Sequence, residues 1–488
     1  MNLRRAATRP GSLAATAALL LSFSCTTVGP DYAPPAAAVA AGWREQADPA
    51  LAPEPPDLNA WWLYLEDPVL NGLIERALRQ GLDLREALAR VHEARALRGV
   101  AAADRFPTLD AVLSYERRGE SENTTLGQFL PDSGLYTAGF DAAWEIDLWG
   151  RVRRSVEAAD ADLEAGIEDT RDVAVTVAAE TARNYIELRG FQKRLAIARS
   201  NVGLQEQTLA LVAARYESGL VGERDVAQAA SNLESTRARV PALEVGLRAA
   251  ENRLAVLLAL APGALAAELA ETRPIPVPPL ELAVGVPADL LRRRADVRRA
   301  ERVLAAETAR VGVAEGDLYP RLSLIGSLGL QSEDLSDLAH SGSEFFHFGP
   351  SLRWNLFDRE RLHGRVEAQD ARREQALLRW ERAVLTALEE AENAMTAFLR
   401  EQLRRRSLRA ASDQARLAVD LSQSQYTEGI TDFQAVLDSE RALAQLEDDL
   451  AQSDAAIATS AVALYKALGG GWEHMHGSGY ARSMESAR

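Results

Sequence analysis

Apolar and polar residues alternate from Tyr136 to Leu148, broken only at Ala143. Tyr136, Ala138, Phe140, Ala142, Trp144, Ile146 and Leu148 share one face, and Thr137, Gly139, Asp141, Glu145 and Asp147 share the other. A period of two marks a strand with one apolar and one wet face. Past Gly150 the period lengthens to that of a helix, so a strand runs straight into a helix. The stretch has a second copy. Trp144, Ile146, Val156, Glu157 and Ala158 recur as Trp354, Leu356, Val366, Glu367 and Ala368, each 210 residues later.

The rest of the chain follows the same plan twice. Helical periodicity begins near Asp67-Pro68, with Leu70, Leu73, Ile74, Ala77 and Leu78 on one face, and Phe106-Pro107 stops it. Strands are expected at about 108–118 and 136–148, with a polar loop between them. No proline interrupts Arg151 to Tyr216. A helix there would be on the order of 100 Å long. Its seam, Val152, Val156, Ala159, Leu163, Gly166, Thr170, Val173 and Val177, steps by fours and threes as in a coiled coil. A tight turn at Gly219–Gly222 leads to a return helix at about 223–260, which Pro241 should kink or break. This first repeat covers 61–261, and a proline-rich linker covers 262–286. The second repeat, 287–470, predicts strands at about 321–331 and 346–357, a long helix at about 361–426 and a return helix at about 432–468. Asp83, Leu84, Arg85 and Ala87 match Asp296, Val297, Arg298 and Ala300, and Phe106-Pro107 matches Tyr319-Pro320. Gene duplication explains these matches. Residues 471–488 are expected to form a disordered tail.

Strands of about ten residues fit a tilted transmembrane strand. Four such strands leave open edges, which lipid does not tolerate, so the chain must oligomerise. Two copies give eight strands with a filled interior, and three give twelve, enough for an aqueous lumen. This architecture describes a conduit and needs no catalytic residue.

Composition and charge narrow the setting. Alanine and arginine abound, and Lys193 and Lys466 are the only lysines. Alanine and arginine are good helix formers, and small alanines let long helices pack closely. A net charge of −16 disfavours nucleic acid as a partner. Residues 1–24 read as a signal peptide, with Arg4, Arg5 and Arg9 before the apolar run Leu13–Leu21. The only cysteine, Cys25, follows where cleavage should occur. It is either a lipid-attachment site or an incidental thiol in the discarded signal. Prolines at 30, 34, 35, 53, 55 and 56 make 25–60 an extended tether. No other stretch reaches 18 apolar residues, so a membrane crossing must use strands. The six histidines are scattered, and His474 and His476 in the tail form the only near pair. Neither a metal site nor a phosphate-binding glycine loop is evident, and no cofactor or enzymatic activity is expected.

Four stretches carry a family resemblance: Cys25 with VGPDYAPP close behind it, WEIDLWGRVRRSVEAA at 144–159, GVPADLLRRRADVRRAE at 285–301 and AEGDLYPRLSLIGSLG at 314–329. The chain resembles the TolC-type outer-membrane efflux proteins, in particular the OprM-like lipoprotein branch. The resemblance implies a mainly α fold with a β-barrel part, arranged as a homotrimer. A twelve-stranded outer-membrane barrel would continue into a periplasmic α-helical barrel, anchored by lipid on Cys25. It implies an exit duct of a tripartite efflux pump, working with a periplasmic adaptor and an inner-membrane pump of the resistance-nodulation-division class. The alternatives are a duct for type I protein secretion and a soluble periplasmic coiled-coil scaffold.

The same resemblance implies site residues. The hairpin tips Gly219, Leu220 and Val221, and Gly429, Ile430 and Thr431, would contact the adaptor. Tyr216, Tyr426, Asp225 and Asp438 would form the periplasmic gate, Asp225 holding the closed state and Asp438 lining the constriction. Thr431 stands where the family has an arginine bridging to the first hairpin, and Ala435 where it has a second ring aspartate. Arg224 is a substitute bridging partner. For Asp225 and Asp438 an ordinary solvated helix charge is the plain alternative. Trp144, Trp149 and Trp354 suit membrane-interface belts or core packing where strands meet helices. Asp141 and Asp147 face the lumen or reflect ordinary strand polarity.

Overall fold

Helix and strand follow one another in the same order twice. The computed structural model describes residues 27–473, except 38, 46, 53, 55, 56, 120, 122, 126, 127, 130, 131 and 280. The signal segment, Cys25, His474 and His476 lie outside the described residues. In chain order come β1 (Leu51–Ala52), a 3-10 turn at Trp61–Leu65, α1 (Pro68–Gln80), α2 (Leu82–Ala103), β2 (Thr108–Arg118), β3 (Ser133–Ile146), α3 (Arg151–Glu217), α4 (Glu223–Arg237) and α5 (Arg239–Leu257). After α6 (Ala266–Leu269) and β4 (Leu282–Ala283) the order recurs as α7 (Pro287–Arg293), α8 (Ala295–Gly316), β5 (Arg321–Ser332), β6 (Glu344–Arg353), α9 (Arg359–Thr427) and α10 (Phe433–Ala467). Among the described residues, no helix is long and apolar enough to cross a membrane.

The chain divides into two compact units. The first holds residues up to Pro35, His92–Ala165 and Ala300–Trp380. Its centre is an antiparallel sheet in the order β2-β3-β5-β6. Register keeps like with like, as period-two patterning requires. Leu113 lies opposite Ala138 and Ala138 opposite Leu330, while Leu109 lies opposite Ala142, Ala142 opposite Gly326 and Gly326 opposite Phe348. One face is therefore apolar across all four strands. A row of the other face reads Asp110, Asp141, Ser327 and His347, and the Ser327 hydroxyl donates to Asp141.

The second strand of each hairpin, β3 and β6, ends earlier than its alternation suggests. β3 stops at Ile146 because Asp147 turns to other work. Its carboxylate accepts the backbone N–H groups of Val152 (3.1 Å) and Arg153 (3.0 Å), satisfying free donors at the start of α3. Asp147 is thus a helix cap and not a lumen-facing strand residue. β6 stops at Arg353, so Trp354 and Leu356 lie just past the sheet. In the same unit the buried Arg154 guanidinium gathers the N-terminal segment, donating to Val28 O, Gly29 O and Asp31 Oδ1 at 3.1, 3.2 and 2.6 Å.

The second unit holds Ala36–Val91, Gly166–Arg299 and the chain from Glu381 onward. Asp67 caps α1 by accepting from Val69 and Leu70, with Pro68 at the first helical position. Its second oxygen accepts the buried Tyr185 hydroxyl at 2.7 Å. Trp61 stacks on Tyr465 at 5.2 Å in the same core. Among the described residues of 36–60 there is almost no regular structure, yet the segment is pinned. Trp43 is buried and donates to Gly285 O, and β1 pairs in parallel with β4 of the proline-rich segment. Pro241 acts as expected. Lacking an N–H and crowding the carbonyl of residue 237, it accompanies a break at Ala238 between α4 and α5. The second repeat has Ala451 there, and α10 runs unbroken for 35 residues. Residues 471–473 are packed, contrary to a tail disordered from 471. The Trp472 ring lies 4.6 Å from the Arg171 guanidinium and 5.6 Å from that of Arg298.

Candidate functional site

Two places carry the candidate residues, the foot of the sheet and the pair of helix tips. At the foot of the sheet, the duplication repeats a contact. Trp144 Nε1 donates to Arg105 O at 2.9 Å, and Trp354 Nε1 donates to Leu318 O at 3.2 Å. Both acceptors immediately precede the aromatic-Pro pair that ends a helix. Both rings stay exposed, at 38% and 56%. Trp149 differs. Its Nε1 donates to Pro320 O at 2.9 Å and its ring stacks on Tyr319 at 4.8 Å, so it serves packing where strand meets helix. Glu145 and Arg151 pair at 2.8 Å across the same turn.

The second place is the pair of helix tips. Gly219 and Gly429 both have a positive φ, +72° and +77°, which suits glycine. The N–H of Gly219 bonds Tyr216 O and that of Leu220 bonds Arg215 O. Gly429 and Ile430 repeat this toward Tyr426 and Gln425. Both long helices therefore end in the same left-handed cap. Leu220 and Ile430 project into solvent at 66% and 69% exposure, with Val221 and Thr431 half-buried behind them. Asp432 caps α10 through Ala435 N at 3.2 Å. The return helix α4 starts from Gly222 without a side-chain cap, with Glu223 and Asp225 in its first turn.

Beneath the tips, Val212, Ala229, Tyr426, Phe433, Val436 and Leu437 form one buried cluster drawn from α3, α4, α9 and α10. The two tyrosines are not equivalent. Tyr426 is buried against Phe433 (5.7 Å), while Tyr216 is 45% exposed. The Tyr426 hydroxyl is buried and has no hydrogen-bond partner among the described residues. Burial raises its pKa, against the lowering pull of Arg215 and with a further push from Asp225.

At the tips Arg215 joins the two hairpins. Its Nη1 donates to the carbonyls of Tyr426 (3.0 Å) and Thr427 (3.1 Å), and its guanidinium lies 4.7 Å from the Tyr426 ring centroid. Arg224 does not take this part. It is 84% exposed, and its carboxylate neighbour is Asp225, the next residue, at 3.6 Å. So the bridge runs from the first hairpin to the second. Sequence reasoning passed over Arg215 because a basic residue in a last helical turn already has a bland explanation in the helix dipole. Asp438 is exposed and accepts from Gln434 at 2.8 Å. Among the described residues no group of carboxylate, histidine or cysteine side chains could hold a metal ion.

A family description, "Outer membrane efflux protein", matches residues 73–260 and 286–470. The chain belongs to this family. Nodulation protein T of Rhizobium leguminosarum is 32% identical over 458 residues, covering 94% of this chain and 93% of that protein. The toluene efflux pump outer membrane protein TtgI of Pseudomonas putida is 30% identical, covering 93% and 97%. The solved outer-membrane channel OprN superposes with a TM-score of 0.86 at 38% identity, covering 91% of this chain and 99% of that one. This outer membrane efflux protein is therefore a TolC-type exit duct of the outer membrane, from a family of channels and not of enzymes. Relatives of this kind are components of efflux pumps.

Proposed function

We propose that three copies of this efflux protein close a twelve-stranded barrel and a periplasmic helical tube, opened at the paired tips by an adaptor and an inner-membrane pump. The supporting observation is the four-stranded sheet. Its outer strands β2 and β6 keep free edges, and its largely apolar face carries exposed side chains, including Leu113 (83%), Phe346 (75%) and Phe348 (79%). Such a sheet suits lipid on one side, water on the other and further copies at both edges. Trp144 and Trp354 mark the membrane boundary, and Cys25 carries the lipid anchor. Energy and cargo choice rest with the pump, of the resistance-nodulation-division class. The cargo is small toxic compounds, a reading favoured over protein secretion by the toluene pump relative.

At rest the tips are closed. Arg215 latches the hairpins through Tyr426 and Thr427, Asp225 lies beside that latch, and the Asp438 carboxylates ring the entrance. The apolar ends Leu220 and Ile430 receive the adaptor. Purified protein in planar bilayers tests the reading. Small closed-state currents that grow when Arg215 is removed are expected, and a protein inserting no conducting unit in any variant would overturn it.

A further inference from the structure

Glu440 lies on α10, one turn beyond the tip cluster, and is 3% exposed. Its Oε1 accepts Thr208 Oγ1 from α3 at 2.6 Å and Gln423 Nε2 from α9 at 3.1 Å. Its Oε2 is buried and accepts nothing among the described residues. One carboxyl thus ties three helices from both repeats, using half of its acceptors. An ionised carboxylate can take about four hydrogen bonds and is costly to bury with fewer. A neutral acid removes that cost by carrying its proton on the unused oxygen.

Among the described residues no ion pair reaches Glu440, and the charged groups on the helices packed around it are engaged elsewhere. From α3, Arg215 is committed to Tyr426 and Thr427. From α9, Asp420 acts on Arg416, and Tyr426 is neutral. From α4, Asp225 sits with Arg224, and Asn232 accepts from Arg441 of α10. Asp438, on the same helix, accepts from Gln434. Burial pushes the Glu440 carboxyl above the usual glutamate range, and the Thr208 and Gln423 donors pull it partway back.

We propose that Glu440 is a proton-operated clasp: as a neutral acid it holds α3, α9 and α10 together beneath the tip, and its ionisation loosens them toward the open arrangement. This rests on the tips being the gate. The packed state binds the proton more tightly than a released, solvated Glu440 does. Closure is therefore favoured below the ordinary glutamate value of 4.5 and loses that advantage as pH rises through the raised value.

Planar-bilayer recordings of the purified full-length protein between about pH 4 and pH 8 test this. Open probability of the wild type should rise with pH, by up to about tenfold per unit per carboxyl within the window. Glu440→Gln should stay closed-biased and flat. Asp438→Asn should keep the transition. Thr208→Val, which removes a donor from the anion, should move the midpoint to higher pH and serves if Glu440→Gln does not assemble. A Glu440→Gln channel with the wild-type pH profile, or an unmoved Thr208→Val midpoint, overturns the clasp. If Arg215→Ala opens the channel while Glu440→Gln keeps the wild-type profile, the clasp fails and the gate stands. If neither variant alters the current, the gate reading falls and the clasp with it.

Discussion

Arg215 of the first hairpin donates to the backbone carbonyl of Tyr426 in the second at 3.0 Å and covers its ring at 4.7 Å. A half-buried cation–π contact and two charge-assisted hydrogen bonds contribute about 1–2 kcal/mol, or about tenfold in the ratio of closed to open states. Arg215→Ala should raise single-channel open probability by about that factor. Arg215→Lys should rescue it only in part, since an ammonium can donate to the carbonyls but lacks the planar guanidinium that lies over the Tyr426 ring. Equal currents from wild type and Arg215→Ala would remove the latch.

Tyr426 contributes its ring and its carbonyl, not its hydroxyl. The hydroxyl is buried without a partner. Tyr426→Phe should leave gating unchanged and stabilise the protein slightly, by up to about 1 kcal/mol. Tyr426→Ala should open the channel by emptying the tip cluster. Recordings of the two variants side by side check this, and a leaky Tyr426→Phe would show that the hydroxyl matters.

Asp438 is exposed on α10, and three copies near one axis would concentrate negative potential. Asp438→Asn should lower cation selectivity, read as a reversal potential moving toward zero in a potassium chloride gradient. An unshifted reversal potential would leave Asp438 an ordinary solvated charge.

Arg294 and Asp296 form a half-buried pair at 2.7 Å, and Arg294 also reaches Glu390. Burial pushes the Asp296 pKa up, but Arg294 and the Val297 N–H prevail and the net shift is downward. A depressed carboxyl pKa adds stability above the ordinary aspartate value of 3.8, and that stability is lost as pH falls through the depressed value. Asp296→Asn should cost about 1–2 kcal/mol at neutral pH, since Arg294 keeps Glu390 as a partner, with the gap to wild type closing in strong acid. Thermal melts of the detergent-solubilised protein across pH read this directly.

Much of the fold was legible because period and burial coincide in the strands. Leu109, Phe140, Leu328 and Phe346 all fell on the apolar face their alternation assigned. Strand ends were less legible, since Asp147 fits the wet face of a strand as well as the cap of α3. At the tips the glycines were readable from their turns and the repeat offset. The inequality of Tyr216 and Tyr426 was not, because the two repeats carry the same residue and differ only in what packs on it. Arg215 and Glu440 look in sequence like any charged residue on an Arg- and Glu-rich helix. Only their tertiary partners set them apart.

Closure by three copies is tested most directly by cysteine cross-linking between the free edges of β2 and β6. Pairs would be stepped along the wet face, from Asp110 to Glu116 on β2 and from His347 to Arg353 on β6, in the intact outer membrane. A closed ring predicts one, two and three linked copies on a denaturing gel and nothing larger. Monomers alone at every register, or a ladder running past three, would contradict it.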